Sequence, residues 1–169
     1  MTEPEKEKLV EFLNKNWMTH DGLWFYECIQ ELGADKTNKI NKAAIQALAE
    51  IEVKRIRTFL GAEGKQLDTF DRFKDFIANV SEFFIPEFMN ASMNFPEDNI
   101  LQWEFTPETC FAYKSMKSMG VIDDYECGVI YRVQCWLKNL GISYDIIPPV
   151  TKCLIHENGM CSGRFILHF

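Results

Sequence analysis

Met89-Asn90-Ala91-Ser92-Met93-Asn94-Phe95 alternates apolar and polar residues, and after Pro96-Glu97-Asp98-Asn99 the stretch Ile100-Leu101-Gln102-Trp103-Glu104-Phe105 alternates again. A period of two is that of a strand with one face buried. The string between the runs is turn chemistry, because Pro, Asp and Asn each suit a chain reversal. The pair therefore predicts an antiparallel hairpin with Leu101, Trp103 and Phe105 on one face.

Upstream the period is helical. Leu9, Val10, Phe12, Leu13 and Trp17 form an apolar stripe on a first short helix. Thr19-His20-Asp21-Gly22 interrupts it, and Thr19 or Asp21 is expected to cap a second helix by accepting an orphan backbone N–H. That helix carries Leu23, Trp24, Tyr26, Ile29 and Leu32 and ends near Gly33. A third runs from about Asn38 to Leu60, with Ile40, Ala44, Ala47, Leu48, Ile51 and Phe59 inward and Gly61 as its stop. In a fourth, Leu67, Phe70, Phe73, Ile77, Val80 and Phe84 recur at three- and four-residue spacing until Pro86.

Downstream, Thr106-Pro107-Glu108 predicts a helix start, with Thr as cap and Pro where its missing N–H costs nothing. That helix ends at Gly120. Asp123-Asp124 opens another that stops at Gly141. Ile142–Ile147, Val150–Ile155 and Gly163–Phe169 are expected as strands, with Pro148-Pro149 between the first two. Helices first, then strands with helices inserted, predict an α+β fold. An N-terminal helical layer would pack on an antiparallel sheet of about four strands. Residues 1–169 read as a single domain, with a helical half (1–85) and a sheet-bearing, cysteine-rich half (86–169).

Hydrophobic residues are 47% and aromatics 14% of the chain, enough for a substantial core. Apolar runs such as Phe83-Phe84-Ile85 are far short of a membrane span. The polar, acidic start Met1-Thr2-Glu3-Pro4 lacks the pattern of a secretory signal, so a cytoplasmic protein is expected. The net charge is -7, of which residues 76–169 carry -5. That argues against a nucleic-acid partner, which needs clustered Lys and Arg.

Five of the six cysteines, Cys110, Cys127, Cys135, Cys153 and Cys161, lie in the last sixty residues. In a reducing compartment such density points to a metal or reactive-thiol site rather than disulfides. There is no C-x-x-C, so any site must be assembled by the fold. Cys110 and Cys127 are expected in the first turns of their helices, where the N-terminus favours thiolate. Cys153 and Cys161 flank a loop. A tight Asn158-Gly159 turn would set His156 opposite Cys161, whereas a wider loop would pair Cys153 with Cys161. Cys135, mid-helix beside Trp136, and Cys28 read as small core residues. The competing reading makes all of them ordinary core thiols.

In Trp17-Met18-Thr19-His20-Asp21-Gly22-Leu23-Trp24-Phe25, two tryptophans flank an ionisable pair. His20, Asp21 and Trp24 could line an aromatic ligand pocket. Otherwise Asp21 is a cap and the tryptophans are core. Glu52 belongs to a charged helix side and would be a pocket acid only if it pointed inward. No Gly-rich phosphate loop, H-E-x-x-H or G-x-S-x-G is present.

Three blocks together, "Trp17…His20-Asp21-Gly22-Leu23-Trp24-Phe25", "Cys110…Lys117-Ser118-Met119-Gly120…Cys127" and "Cys153…Cys161-Ser162-Gly163-Arg164-Phe165", resemble a group of bacterial and archaeal cytosolic proteins frequent in anaerobes. That group is similar to the aminothiazoline-carboxylate hydrolase-like family and, more distantly, to 4-vinyl-reductase-like small-molecule-binding domains. The resemblance puts the family cysteines on Cys110, Cys127, Cys153 and Cys161. It implies an α+β fold with a ligand pocket between helices and sheet, and a four-thiolate site. This chain departs from the pattern at Gly163, where an aromatic is usual, and in the short loop before Cys161.

The expectation is a small-molecule-binding protein with a cysteine-rich site for zinc or an iron–sulfur cluster. The alternatives are a thiol-dependent hydrolase, with Cys110 or Cys127 as nucleophile and His20 or His156 as base, and a non-catalytic sensing module. The partners expected are a small molecule and, at most, a second copy in a homodimer, with no nucleic acid and no membrane.

Overall fold

The structure, a computed structural model, describes residues 3–84, 87–106 and 109–169, and the side chains of 5–80, 88–106 and 109–169. The fold is α+β, with more helix than strand among the described residues. Helices α1 (Glu3–Leu32), α2 (Ala34–Phe59) and α3 (Phe70–Phe84) precede strands β1 (Ala91–Asn94) and β2 (Ile100–Phe105). Then come α4 (Phe111–Ser118), α5 (Gly128–Asn139), β3 (Ser143–Ile147), α6 (Leu154–Asn158) and β4 (Cys161–His168). The sheet is antiparallel in the order β1-β2-β4-β3.

The opening hairpin forms as its alternation requires. Leu101, Trp103 and Phe105 are 1%, 0% and 5% exposed. Each sits directly opposite a residue of β4: Leu101 on Phe165, Trp103 on Gly163 and Phe105 on Cys161. Opposed residues share a face, so Cys161 enters the core beside Trp103.

Four expectations need correction. First, α1 is one unbroken helix through Thr19-His20-Asp21-Gly22. Thr19 Oγ1 donates to the Lys15 carbonyl at 2.7 Å, a bond within the helix rather than a cap. Gly22 is buried where α4 crosses, with Ser115, Met116 and Met119 around it.

Second, α2 is turned about its axis from the face its apolar pattern predicts. Thr37, Asn38, Ala49, Glu52, Val53 and Ile56 are buried, while Ile40 and Ile51 are 46% and Phe59 is 75% exposed. Asn38 and Glu52 make specific bonds inward, and those bonds set the phase.

Third, α5 starts at Gly128, later than expected, and α4 starts at Phe111. Pro107 and Glu108 lie outside the described residues. Fourth, Val150–Ile155 is not a strand. Only Lys152 pairs, in an isolated bridge with Glu126, and Leu154 and Ile155 begin α6. Neither expected hairpin register around Asn158 occurs, because α6 fills the space between Cys153 and Cys161. Among the described residues no helix is long and apolar enough to cross a membrane.

Candidate functional site

Three cysteines occupy the same local position. Cys110, Cys127 and Cys153 are the N-cap residues of α4, α5 and α6, with extended backbone at ψ 108°, 104° and 110°. An N-cap side chain lies next to backbone N–H groups that lack helical partners. None of the three thiols makes a cap hydrogen bond of good geometry, but the nearby N–H groups of Tyr113 and Ala112 favour the Cys110 thiolate, that of Ile130 favours Cys127, and those of His156 and Ile155 favour Cys153.

The loops holding these caps are bound to each other and to α2. Cys127 N–H donates to the Thr151 carbonyl at 2.8 Å, which ties the segment before α5 to the segment before α6. Asn38, 4% exposed on α2, grips the same segment from behind. Its Nδ2 donates to the Asp124 carbonyl at 2.7 Å, and its Oδ1 accepts Glu126 N–H at 3.0 Å. Lys42 adds an ion pair to Glu126.

Cys110, Cys127, Cys153 and Cys161 all line one void of about 10 Å³. That is roughly the space of one water molecule or one ion. Cys135 does not reach it and is buried within α5, and Cys28 is half-buried on α1. Four of the thiols thus lie together at one void, and the other two lie apart from it. All six thiols are free.

The expected thiol activation does not occur. Burial pushes all four pKa values up, that of Cys127 to about 12 and that of Cys161 to about 11. Burial disfavours the charged form more than the N–H groups favour it, and any negative charge on neighbouring cysteines adds to the penalty. Trp103 Nε1–H works the other way on Cys161, lowering its pKa. Yet that N–H is fully buried and makes no hydrogen bond of good geometry. It faces the sulfur without a well-formed bond to it, so it is a donor held in reserve.

A second, larger cavity of about 500 Å³ lies between the helices and the sheet. Its wall is mostly apolar, with Phe25, Leu48, Ile77, Met93, Leu101 and Met116 among its residues. Phe105, Ala112, Tyr125 and Val129 belong to both cavities, so the thiol void lies directly behind one wall of the larger space. Tyr125 is the central partition. Its ring packs edge-on against Phe25 at 5.4 Å, and its hydroxyl accepts Gly128 N–H at 2.9 Å.

Of His20, Asp21 and Trp24, only Asp21 lines this cavity, together with Trp17 and Met18. Trp24 is 62% exposed, and His20 also faces solvent. Asp21 keeps solvent contact at the mouth, but the apolar bulk around it desolvates its carboxyl and raises its pKa. The nearby charges of Arg132 and His20 pull the other way.

Glu52 does point inward, though not as a pocket acid. Arg132 clasps it through Nε at 2.9 Å and through Nη2, and Trp136 Nε1 donates to it at 2.9 Å. The Arg132 guanidinium lies over Trp17 at 5.7 Å and over Trp136 at 5.5 Å.

The imidazoles take no part in the thiol site. His156 pairs with Asp123 at 2.7 Å and His168 with Asp145 at 3.0 Å, both on the surface. Among the described residues, no three His, Cys, Asp or Glu side chains are already gathered at metal-ligating spacing. Tyr125, Asn38 and Arg132 were not singled out by sequence reasoning, which placed Trp103 only on one face of its hairpin. Only Tyr125, two residues before Cys127, had a nearby signal.

No curated protein and no solved structure matches the chain. A family model does match residues 2–127, a span that includes Cys110 and Cys127 and stops before Cys153 and Cys161. The chain belongs to that family, the family of unknown function DUF6125.

Proposed function

We propose that this is a small-molecule-binding protein whose ligand occupies the 500 Å³ cavity and whose four cysteines hold zinc or an iron–sulfur cluster behind its wall. One observation carries the reading. Four thiols from four separate elements line a single ion-sized void that shares a wall with the cavity.

The donor chemistry fits a thiolate-held group. Three of the thiols sit at helix N-caps among backbone N–H groups, and a buried indole N–H without a good acceptor faces the fourth. Thiolates accept such bonds better than thiols do. Among the described residues no metal-ligating group is already formed, so binding would require the four cysteines to adjust, less for a single zinc ion than for the larger cluster. A closed four-thiolate zinc is structural, one with an open position is a Lewis acid, and an iron–sulfur cluster carries an electron. A reducing cytoplasm belongs to this proposal, because thiolate ligands must stay unoxidised.

A thiol-dependent hydrolase has less support. Its nucleophile needs a lowered pKa or an adjacent imidazole. All four thiols are pushed up, and the His156 and His168 rings are engaged with carboxylates.

Elemental analysis and visible spectroscopy of anaerobically purified protein test the proposal. About one zinc per chain, or iron with sulfide and visible absorbance, is expected. Metal-free protein with a colourless spectrum would contradict it.

A further inference from the structure

We infer that the cavity takes a ligand with an apolar body and a single cationic head, a protonated amine, seated against the Asp21 carboxylate. This rests on the reading of the cavity as a ligand site. The body is set by the wall, which is aliphatic, aromatic and methionine-rich.

The head is set by charge. Asp21 and Arg132 are the charged side chains in the wall. Arg132 is already committed, since Glu52 receives both its Nε and its Nη2 and two indoles stack on it. Asp21 has no hydrogen bond or ion pair among the described residues. Glu52, Arg132 and Asp21 together therefore leave one negative charge uncompensated, and it faces the cavity. A carboxylate ligand would have to displace Glu52 from Arg132 and then sit beside Asp21. An ammonium group meets an open carboxylate.

The remaining ionisable neighbour, His20 on the same helix, faces solvent outside the cavity. Trp17 lies one turn before Asp21 on α1, so an indole borders the head-group position. The apolar surroundings that desolvate Asp21 also strengthen any ion pair it makes.

The test uses the full chain and three eight-carbon probes, n-octylammonium, 1-octanol and octanoate, with binding followed by calorimetry at neutral pH. Octylammonium should bind about fivefold tighter than octanol, the upper range of a partly exposed ion pair. Asp21→Asn should remove that preference, so that the amine and the alcohol bind about equally. Octanol binding without an amine preference overturns this inference and leaves the cavity reading standing. So does octanoate binding more tightly than the amine. Failure of all three probes to bind overturns both. Asp21 is exposed, so the variant should fold, and an unchanged far-ultraviolet dichroism spectrum checks this.

Discussion

Gly163 lies directly across the β2–β4 ladder from Trp103, and a Cβ at Gly163 would fall 2.3 Å from Trp103 Cζ2 and 2.7 Å from the Ile147 carbonyl oxygen. The indole occupies the space where a side chain at 163 would stand. This accounts for glycine at position 163. Gly163→Ala should therefore lower stability by about 1–3 kcal/mol through overpacking. Its denaturant midpoint, compared with that of the wild type, measures this. An unchanged midpoint would mean that Trp103 can move aside freely.

Trp103→Phe keeps a ring on the same face and removes the indole N–H. The Cys161 thiol, already raised to about 11 by burial, loses the group that pulls it down. Its pKa should rise further, and Cys161 should alkylate more slowly at a given pH above 9. Site-resolved alkylation rates against pH check this, with Cys135 as an internal control. Equal rates for Cys161 in the two proteins would remove Trp103 from the site.

Asn38→Ala strips the segment before α5 of its two hydrogen bonds to Asn38, leaving the Lys42–Glu126 ion pair. It leaves the Glu126 N–H and the Asp124 carbonyl without their partner. A loss of about 2 kcal/mol is expected from those abandoned groups. Cys127 should also become more accessible to alkylation, since its cap position depends on that segment. Thermal unfolding together with the Cys127 labelling rate measures both effects.

Asp21 gives a pH dependence whose sign can be worked out. Its folded pKa lies above 3.8, so the folded state holds the proton more tightly than the unfolded state. The unfolded state thus binds fewer protons in that window, and stability falls as pH rises from about 4 through the raised pKa. Arg132 and His20 moderate the effect without reversing it. Asp21→Asn should consequently be more stable than wild type at neutral pH, and the gain should vanish at acid pH. Paired unfolding curves at pH 3.5 and pH 7 decide it. A variant less stable at pH 7 would show that the carboxylate is already satisfied.

Much of this architecture is legible in the sequence, and the exceptions share a cause. The β1–β2 hairpin is readable because one-sided burial writes itself as strict alternation. The phase of α2 is not, because Asn38 and Glu52 are buried to reach Glu126 and Arg132, more than eighty residues away in the first case and eighty in the second. Nothing local marks a polar residue for such a partner. Val150–Ile155 misleads because a short apolar run fits a buried helical turn as well as a strand. Asp21 in a Thr-His-Asp-Gly string has the chemistry of a cap, yet the helix runs unbroken through it and Gly22 packs against α4. Cys110 and Cys127 are expected in first helical turns, and both stand at helix starts, as N-cap residues. The reversal of their expected pKa shift depends on burial, a property of the assembled fold.

The most direct test of the central claim is X-ray absorption at the metal edge of anaerobically purified protein. The proposal predicts zinc or iron with about four sulfur neighbours at roughly 2.3 Å. Cys127→Ser should lower the sulfur number or abolish metal retention. A first shell of nitrogen and oxygen near 2.0–2.1 Å, or no bound metal, would contradict the thiolate centre.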